Sequence, residues 1–360
     1  MTDRSGLMID YLELSIPVEL PAPIMSGHFV DFDEGGEVVT ATVKRKMIEG
    51  SYSGKLSLRS PTLSILELKG NPAKFLQGHN LYGTSDPIEL AWAALQRIEH
   101  FGHFPCSLRY MGLYGPQSLS DAKVLRADIT GMFQLPDLAH VLDYIRTASV
   151  NGRLAHRGRG VMKGDSTLVF GDATGKSFRR WQLVMYAKGP EVRKPKHLLP
   201  PPMASDWSVL DWADRSLRVE LRLQGLELER QGLRSLGDWS SERAARLWDE
   251  KVSLLAFNDS NAATLQVDHL PMKLRPVYLA WTTGADLRST YKHRTLYHYR
   301  KQLLDLVGVD ILVPPPSVPT AHVTPLRRVL EAVPAGRPDW ADRIDAVLVS
   351  EGAFAFPRAA

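Results

Sequence analysis

Strands show first as an alternation of apolar and polar residues. Residues 38–46 (VVTATVKRK) and 63–70 (LSILELKG) keep the two-residue period of half-buried strands, so the first eighty residues read as β-rich. A helical period takes over in 85–102 (SDPIELAWAALQRIEHFG). Asp86 is placed to cap, Pro87 takes the first helical position, and Leu90, Ala91, Ala94, Leu95 and Ile98 form an apolar face. A second helix opens at Pro136 and Asp137 in LPDLAHVLDYIRTA, and others are predicted over 241–257 and 296–307. Residues 189–206 and 313–321 are Pro-rich and read as loops or linkers, because consecutive prolines fit neither a helix interior nor a central strand.

Three further alternating segments carry chemistry. In 124–130 (VLRADIT), Leu125, Ala127 and Ile129 share one face; Arg126, Asp128 and Thr130 share the other. In 180–188 (RWQLVMYAK), Trp181, Leu183 and Met185 oppose Gln182, Val184, Tyr186 and Lys188. In 216–224 (SLRVELRLQ), Leu217, Val219, Leu221 and Leu223 oppose Arg218, Glu220 and Arg222. Paired in one sheet with helices behind the apolar side, these strands would gather a nucleophile, carboxylates and cations on one open face. Any half-exposed antiparallel sheet alternates in this way, so a merely solvated face stays open as the alternative.

Composition narrows the class. The chain has 360 residues, 44% hydrophobic and 23% charged, which excludes disordered and fibrous proteins and allows one large or two moderate domains. Its single cysteine, Cys106, excludes a disulfide framework and any multi-thiolate metal site, as suits a reducing compartment. No apolar run reaches the ~18–20 residues of a membrane span, and the start lacks the apolar stretch of a secretory signal, so a soluble cytoplasmic protein without a membrane partner is expected. The net charge of +4 is unevenly spread: residues 151–200 hold eleven Lys and Arg against three acids, with Arg179 and Arg180 just ahead of Tyr186. Residues 287–301 add five Lys/Arg, two His and three Tyr without an acid. Cations interleaved with rings suit nucleic acid; the alternative is a solvated basic surface whose tyrosines pack inward.

No P-loop, HExxH, CxxC or histidine–hydrophobe–histidine motif occurs. His100 and His103 have a spacing that could share a metal, but they read rather as a pair ending a helix. Residues 70–86, GNPAKFLQGHNLYGTSD, resemble the PAK-x-LQGHN-x-[YF]GT signature of the filamentous-phage gene II replication proteins. The resemblance continues collinearly through MIDYLEL from Met8, RADIT at 126–130, LVMYAK ending at Lys188, LRVELR at 217–222 and YHYRKQL near the carboxyl end.

This resemblance implies a rolling-circle replication initiator. Such a protein nicks one strand of supercoiled phage origin DNA, leaves a 3′-OH for the host polymerase working with a host replication helicase, and later cuts and rejoins the displaced single strand. The implied fold is α+β, an antiparallel Rep-nuclease-like sheet with helices packed on one face. Residues 1–260 would form the nicking and joining domain, and 261–360 a small, helical, basic domain for DNA binding or regulation. Carried onto this chain, Tyr186 becomes the nucleophile and Lys188 the group that lowers its pKa or stabilises developing charge. Asp128 and Glu220 become ligands of Mg2+ or Mn2+, and His79 either a third ligand or a residue that positions a loop. Arg126, Arg218 and Arg222, with Arg179 and Arg180, would bind DNA phosphates; Lys74, Gln77 and Asn80 are further DNA contacts, although a turn also accounts for Asn80 and Gly83. Tyr82 reads as a packed aromatic rather than a second nucleophile. Met272 is either an internal start for a short regulatory product or an ordinary interior methionine. The implied location is the host bacterial cytoplasm. Two other classes compete: a non-catalytic DNA-binding replication regulator and a plasmid mobilisation relaxase.

Overall fold

The three chemistry-bearing segments lie side by side in one antiparallel sheet in the computed structural model, which describes residues 6–154, 158–171, 180–257, 270–307, 309–313 and 326–354. Its strands are β1 (Met8–Pro17), β2 (Lys46–Glu49), β3 (Lys55–Thr62), β4 (Ile65–Gly70), β5 (Lys123–Gln134), β6 (Val161–Met162), β7 (Thr167–Phe170), β8 (Trp181–Ala187) and β9 (Ser216–Gln224). They run in the order β6-β7-β8-β9-β5-β1-β4-β3-β2, every pair antiparallel. Central β9 sets Arg218 opposite Tyr186 on one side, and Glu220 and Arg222 opposite Thr130 and Asp128 on the other.

The apolar face behaves as the alternation predicts. Ala127, Ile129, Trp181, Leu183, Met185, Leu217, Val219, Leu221 and Leu223 join one core with Leu12, Leu14 and Ile16 of β1. Helices α1 (Pro72–Gln77), α2 (Pro87–His100), α3 (Leu138–Asn151) and, beyond the short α4 (Lys188–Val192), α5 (Ser241–Ser253) contribute to this core. Asp86 caps α2 through the amides of Ile88 and Glu89, and Asp137 caps α3 through that of His140. The architecture is therefore α+β, with a large antiparallel sheet.

Two β-bulges break the simple period. Between the pairs Glu13–Arg126 and Leu14–Val124 an extra residue enters β5. Val124 turns into the core and Leu125 stays half-buried, which corrects the expected inward Leu125. A second irregularity, between Ile9 and Tyr11 of β1, takes Asp10 out of register. The segment predicted as a half-buried strand at 38–46 is instead Val38–Val43, paired only with His28–Phe32 in a ribbon exposed along nearly its whole length. Alternation identifies a strand but not the surface it lies on. The Pro-rich 189–206 stretch takes up part of α4 and a short helix, Pro201–Ala204. The helix predicted to reach 257 stops at Ser253, and Leu255–Phe257 pairs with Gly152–Leu154. Most of the 313–321 stretch lies outside the described residues.

Packing splits the carboxyl third in two. Residues 270–313, including helix α6 (His293–Val307), close their own core around Leu274, Trp281, Leu296 and Leu303. Residues 326–354 return to the sheet: Leu326, Val329 and Leu330 join the main core, and Ile344 and Leu348 of α7 (Ala341–Ser350) pack in a cluster with Leu81 and Tyr82. Backbone bonds from Phe354 to Leu76 (3.0 Å) and from Ala335 to Met132 (2.6 Å) fasten this return. Met272 is 82% exposed, ahead of the first helix of this part.

A buried ion pair ties α5 to the chain that follows β9. Lys251 Nζ lies 2.7 Å from Glu227 Oε1, both side chains 1% exposed, and 5.3 Å over the Trp181 ring. Glu227→Gln should lower the unfolding free energy by about 2 kcal/mol in urea titration. That is below the ~3–5 kcal/mol of breaking an isolated buried pair, because Glu250 still reaches Lys251. Adding Lys251→Met should restore most of the loss, and a double variant no more stable than the single one would contradict this account.

Candidate active site

The GNPAKFLQGHN segment folds as a strand end, one short helix and a reversal, and each residue type has a local reason. Asn71 caps α1 by accepting from the Lys74 amide at 2.8 Å, and its own side-chain amide donates to Asp10 Oδ1 at 2.6 Å. Pro72 takes the first turn, where its missing N–H costs nothing. Phe75 and Leu76 enter the core. Gly78 ends the helix at φ 82, and a Cβ there would stand 2.4 Å from the Tyr52 ring. Gln77 is consumed inside the turn, donating to the carbonyls of Tyr82 (2.7 Å) and His79 (3.3 Å). The reversal delivers Asn80 to the polar side of the sheet.

There a single network connects most of the residues singled out from sequence. Tyr186 donates its hydroxyl to Glu220 Oε1 at 2.7 Å. The same oxygen accepts from Arg218 Nε at 3.1 Å, and Glu220 Oε2 accepts twice from Arg222, at 3.0 and 2.7 Å. Arg218 Nη1 donates to the Asn80 carbonyl at 2.6 Å. Its Nη2 stands 2.6 Å from Asp10 Oδ2, an ion contact without hydrogen-bond geometry. Asp10 also accepts from the Asn80 side chain at 2.9 Å. Lys188 Nζ donates to Asn80 Oδ1 (2.9 Å) and Glu191 Oε2 (2.6 Å), and His197 lies 2.8 Å from the other Glu191 oxygen. Asp128 accepts from Arg126 at 2.9 and 2.5 Å, with Arg222 Nε 3.7 Å away. The polar face is thus not a solvated one: Asp128, Lys188, Arg218 and Glu220 are buried and paired.

Burial and charge pull these groups in different directions. Burial, only partly offset by Arg218, pushes the Tyr186 phenol well above its usual pKa of 10, so the resting hydroxyl keeps its proton. Burial also disfavours the Glu220 carboxylate, but Arg222 and Arg218 overcome it and hold the group at about 2. At Asp128 burial wins over Arg126 and Arg222 and pushes the carboxyl up to about 6. Lys188 is lowered by burial against the pull of Glu191. At Glu191 burial is the largest single influence, but Lys188, His197 and Arg218 together outweigh it and drive the carboxyl well below the carboxylate range.

The remaining predicted residues separate by exposure. Arg218 is fully enclosed, so it positions Glu220 and Asp10 and offers no surface to a phosphate. Arg126 and Arg222 stand at the rim, their side chains 20% and 31% exposed. Arg180 is exposed just before β8, and Lys74 is half-buried with its Nζ 3.5 Å from the Lys196 carbonyl. Arg179 lies outside the described residues. His79 is buried against Tyr82, ring centroids 4.6 Å apart; its Nδ1 accepts from the Leu81 amide, and its Nε2 has no hydrogen-bond partner among the described residues. Tyr82 is a packed aromatic, as expected, donating to Asp345 at 2.6 Å with its ring edge to Trp340. Sequence reasoning missed Asp10 and Glu191, and gave no role to Thr130, whose buried hydroxyl is unpartnered among the described residues and which pairs in register with Glu220. Asp10 follows from MIDYLEL only once the bulge is seen.

Oxygen donors such as Asp128 and Glu220 are of the type that Mg2+ or Mn2+ takes. Their arrangement does not offer them to one. Both carboxylates already accept from arginine or tyrosine, and among the described residues no three His, Cys, Asp or Glu side chains converge as a metal-binding group.

Comparison with known proteins gives a consistent result. Residues 8–242 match the family described as the N-terminal part of the gene II replication-associated protein, and residues 266–343 match the family of its C-terminal part. The gene II replication-associated protein of Enterobacteria phage I2-2 is 31% identical over 346 residues, covering 94% of this chain and 97% of that protein. No solved structure matches the chain.

The His79 environment has a consequence for acid stability. Burial, with Lys188 and Arg337 adding to it, lowers its pKa to about 3. Below about pH 6.5 the unfolded chain protonates this histidine and the folded protein does not, so stability is complete above 6.5 and falls as pH drops toward 3. This group contributes up to about 1.4 kcal/mol per pH unit in that window. Asp128, raised to about 6, acts with the opposite sign below pH 6, so the test is the difference between wild type and His79→Gln in urea titrations from pH 7 to 4.5. The variant should lose less stability as pH falls, and parallel curves would contradict a neutral, buried His79.

Proposed function

The chain belongs to the gene II replication-associated protein family, and from that premise we propose that it is the rolling-circle initiator that nicks and rejoins its phage origin DNA. The observation that carries this reading is the Tyr186 hydroxyl held at 2.7 Å on Glu220 within a buried, arginine-flanked network. A phenol that keeps its proton at rest is a poor nucleophile, so the proton has to leave during attack. Glu220 is the base in place to take it, and its weakness at rest comes from Arg222 and Arg218. Arg222 is at the rim; when it turns to an incoming DNA phosphate, Glu220 loses a neutralising partner and gains basicity.

The Tyr186 oxygen then bonds to phosphorus as its proton passes to Glu220, and the P–O3′ bond breaks. The 3′ oxygen takes a proton from water and becomes the primer end, while the 5′ phosphate stays on the tyrosine. Attack by a later 3′-OH reverses the step and closes the displaced strand. Arg126, Arg222, Arg180 and Lys74 hold flanking phosphates, and Lys188 steadies Asn80, which spans it and Asp10. Mg2+ or Mn2+ belongs to the proposal on donor type alone, so none of these steps is routed through the ion. The proposed partners are supercoiled and single-stranded origin DNA and the host helicase and polymerase, in the host cytoplasm. Among the described residues no helix is long and apolar enough to cross a membrane.

Tyr186→Phe should abolish conversion of supercoiled origin DNA to open circles, and its 5′ protein adduct, while leaving origin binding largely intact. Glu220→Gln should slow nicking by about 10²–10⁴, the range for loss of a general base. Full nicking by the phenylalanine variant would overturn the assignment, and wild-type binding without any open-circular product would favour a non-catalytic regulator. Nicking in the presence of EDTA tests the ion separately: loss of cleavage, restored by added Mg2+ or Mn2+, would keep it in the proposal, and undiminished cleavage would remove it.

A further inference from the structure

Helix α6 sorts the basic, aromatic 287–301 segment into two faces. Leu296 and Leu303 pack in the 270–313 core, Tyr299 meets Tyr291 edge-on at 5.6 Å, and Arg300 is bound to Asp310 at 2.7 and 2.5 Å. These account for the inward half, and Arg300 also reaches the outer side, its guanidinium 5.8 Å from the centre of the Tyr297 ring. Lys292, His293, Arg294, Tyr297, His298 and Lys301 are all exposed, and from His293 onward they recur at the three- and four-residue spacing of one helix side. Tyr297 is 44% exposed, and its ring lies 4.3 Å from that of His293 at an interplanar angle of 31°. From Leu287 to Leu304 the chain has no acid; the nearest on the same helix is Asp305, one turn beyond Lys301.

An exposed pair of adjacent rings flanked by three cations is matched by a ligand with both accessible base faces and phosphates. Duplex DNA keeps its base faces stacked internally, whereas a single strand presents them. We propose that this face of α6 is a binding site for single-stranded DNA, with a base stacked on Tyr297 and His293 and phosphates on Lys292, Arg294 and Lys301. It deepens the function proposed above, since nicking and strand displacement generate such a strand. Its test reads binding rather than cleavage, so failure of the Tyr186 chemistry would leave it standing.

The experiment is a fluorescence-anisotropy titration of the full-length protein with labelled oligo(dT) over a series of salt concentrations. Arg294→Glu with Lys301→Glu should weaken binding about tenfold or more and reduce the slope of log K against log salt by about 1.4, at ~0.7 per lost phosphate contact. Tyr297→Ala should weaken binding about fivefold or more, the low end for one stacked base, while Tyr297→Phe should retain it because the ring and not the hydroxyl is used. Photocrosslinking with iododeoxyuridine should label the peptide containing Tyr297. Unchanged affinity and slope in the double glutamate variant, or crosslinks confined to the sheet, would overturn the site. Equal or tighter binding of a duplex, lost in the same variants, would overturn its single-strand character. All substituted side chains are exposed, so thermal unfolding should match the wild type and separates loss of binding from loss of fold.

Discussion

Arg218 carries its charge where water does not reach, and the candidate site is arranged around the need to pair it. An unpaired buried guanidinium would cost several kcal/mol, so its partners have to be held accurately. They come from three stretches of chain: Asp10 from the bulge in β1, Glu220 two residues along β9, and the Asn80 carbonyl from the reversal after α1. Each partner then orients another group. Glu220 holds the Tyr186 hydroxyl, and the Asn80 side chain joins Lys188 to Asp10. The position of the tyrosine therefore depends on residues more than a hundred positions away in the chain.

The same pairing accounts for the chemistry of the resting site. Asp10, Asp128, Glu191 and Glu220 are matched by Arg126, Arg218, Arg222 and Lys188, so the enclosed region is close to neutral while each member is strongly polarised. A phosphate brings new negative charge to such a site and has to be met by a cation already engaged elsewhere. Only the rim arginines have the exposure to exchange partners. On the proposed reading, DNA binding and activation of Glu220 are thus one event, and the enclosed Arg218 keeps the geometry while it happens.

Much of this was legible in particular residues. The caps Asp86 and Asp137, the helical stripe behind Pro87, and the two faces of β8 and β9 all follow from local rules that the tertiary structure did not override. The polar faces of those strands grouped Tyr186, Arg218, Glu220 and Arg222; Lys188 lies beyond the strand at the start of α4 and reaches the same network through Asn80. Other readings failed for identifiable reasons. Leu125 and Val124 exchange places because of one extra residue, and a bulge has no composition signal in VLRADIT. The strand at 38–43 has the alternation of a half-buried element but no sheet to lie on. Residues 326–354 fall within the expected 261–360 domain, yet their apolar side chains join cores begun more than two hundred residues earlier.

The sequence by itself determined which side chains share a strand face, where the principal helices begin, and which segment carries the signature of the family. These are properties of a few neighbouring residues, governed by backbone period, capping and turn sterics. Only the tertiary structure decided that the polar face is closed and paired rather than solvated, that Asp10 belongs to it, that Gln77 and Arg218 face inward, and that α6 shows solvent one tyrosine of its cluster while packing its neighbours. Burial and charge pairing depend on atoms brought together from distant parts of the chain, and no local pattern records which of them will meet.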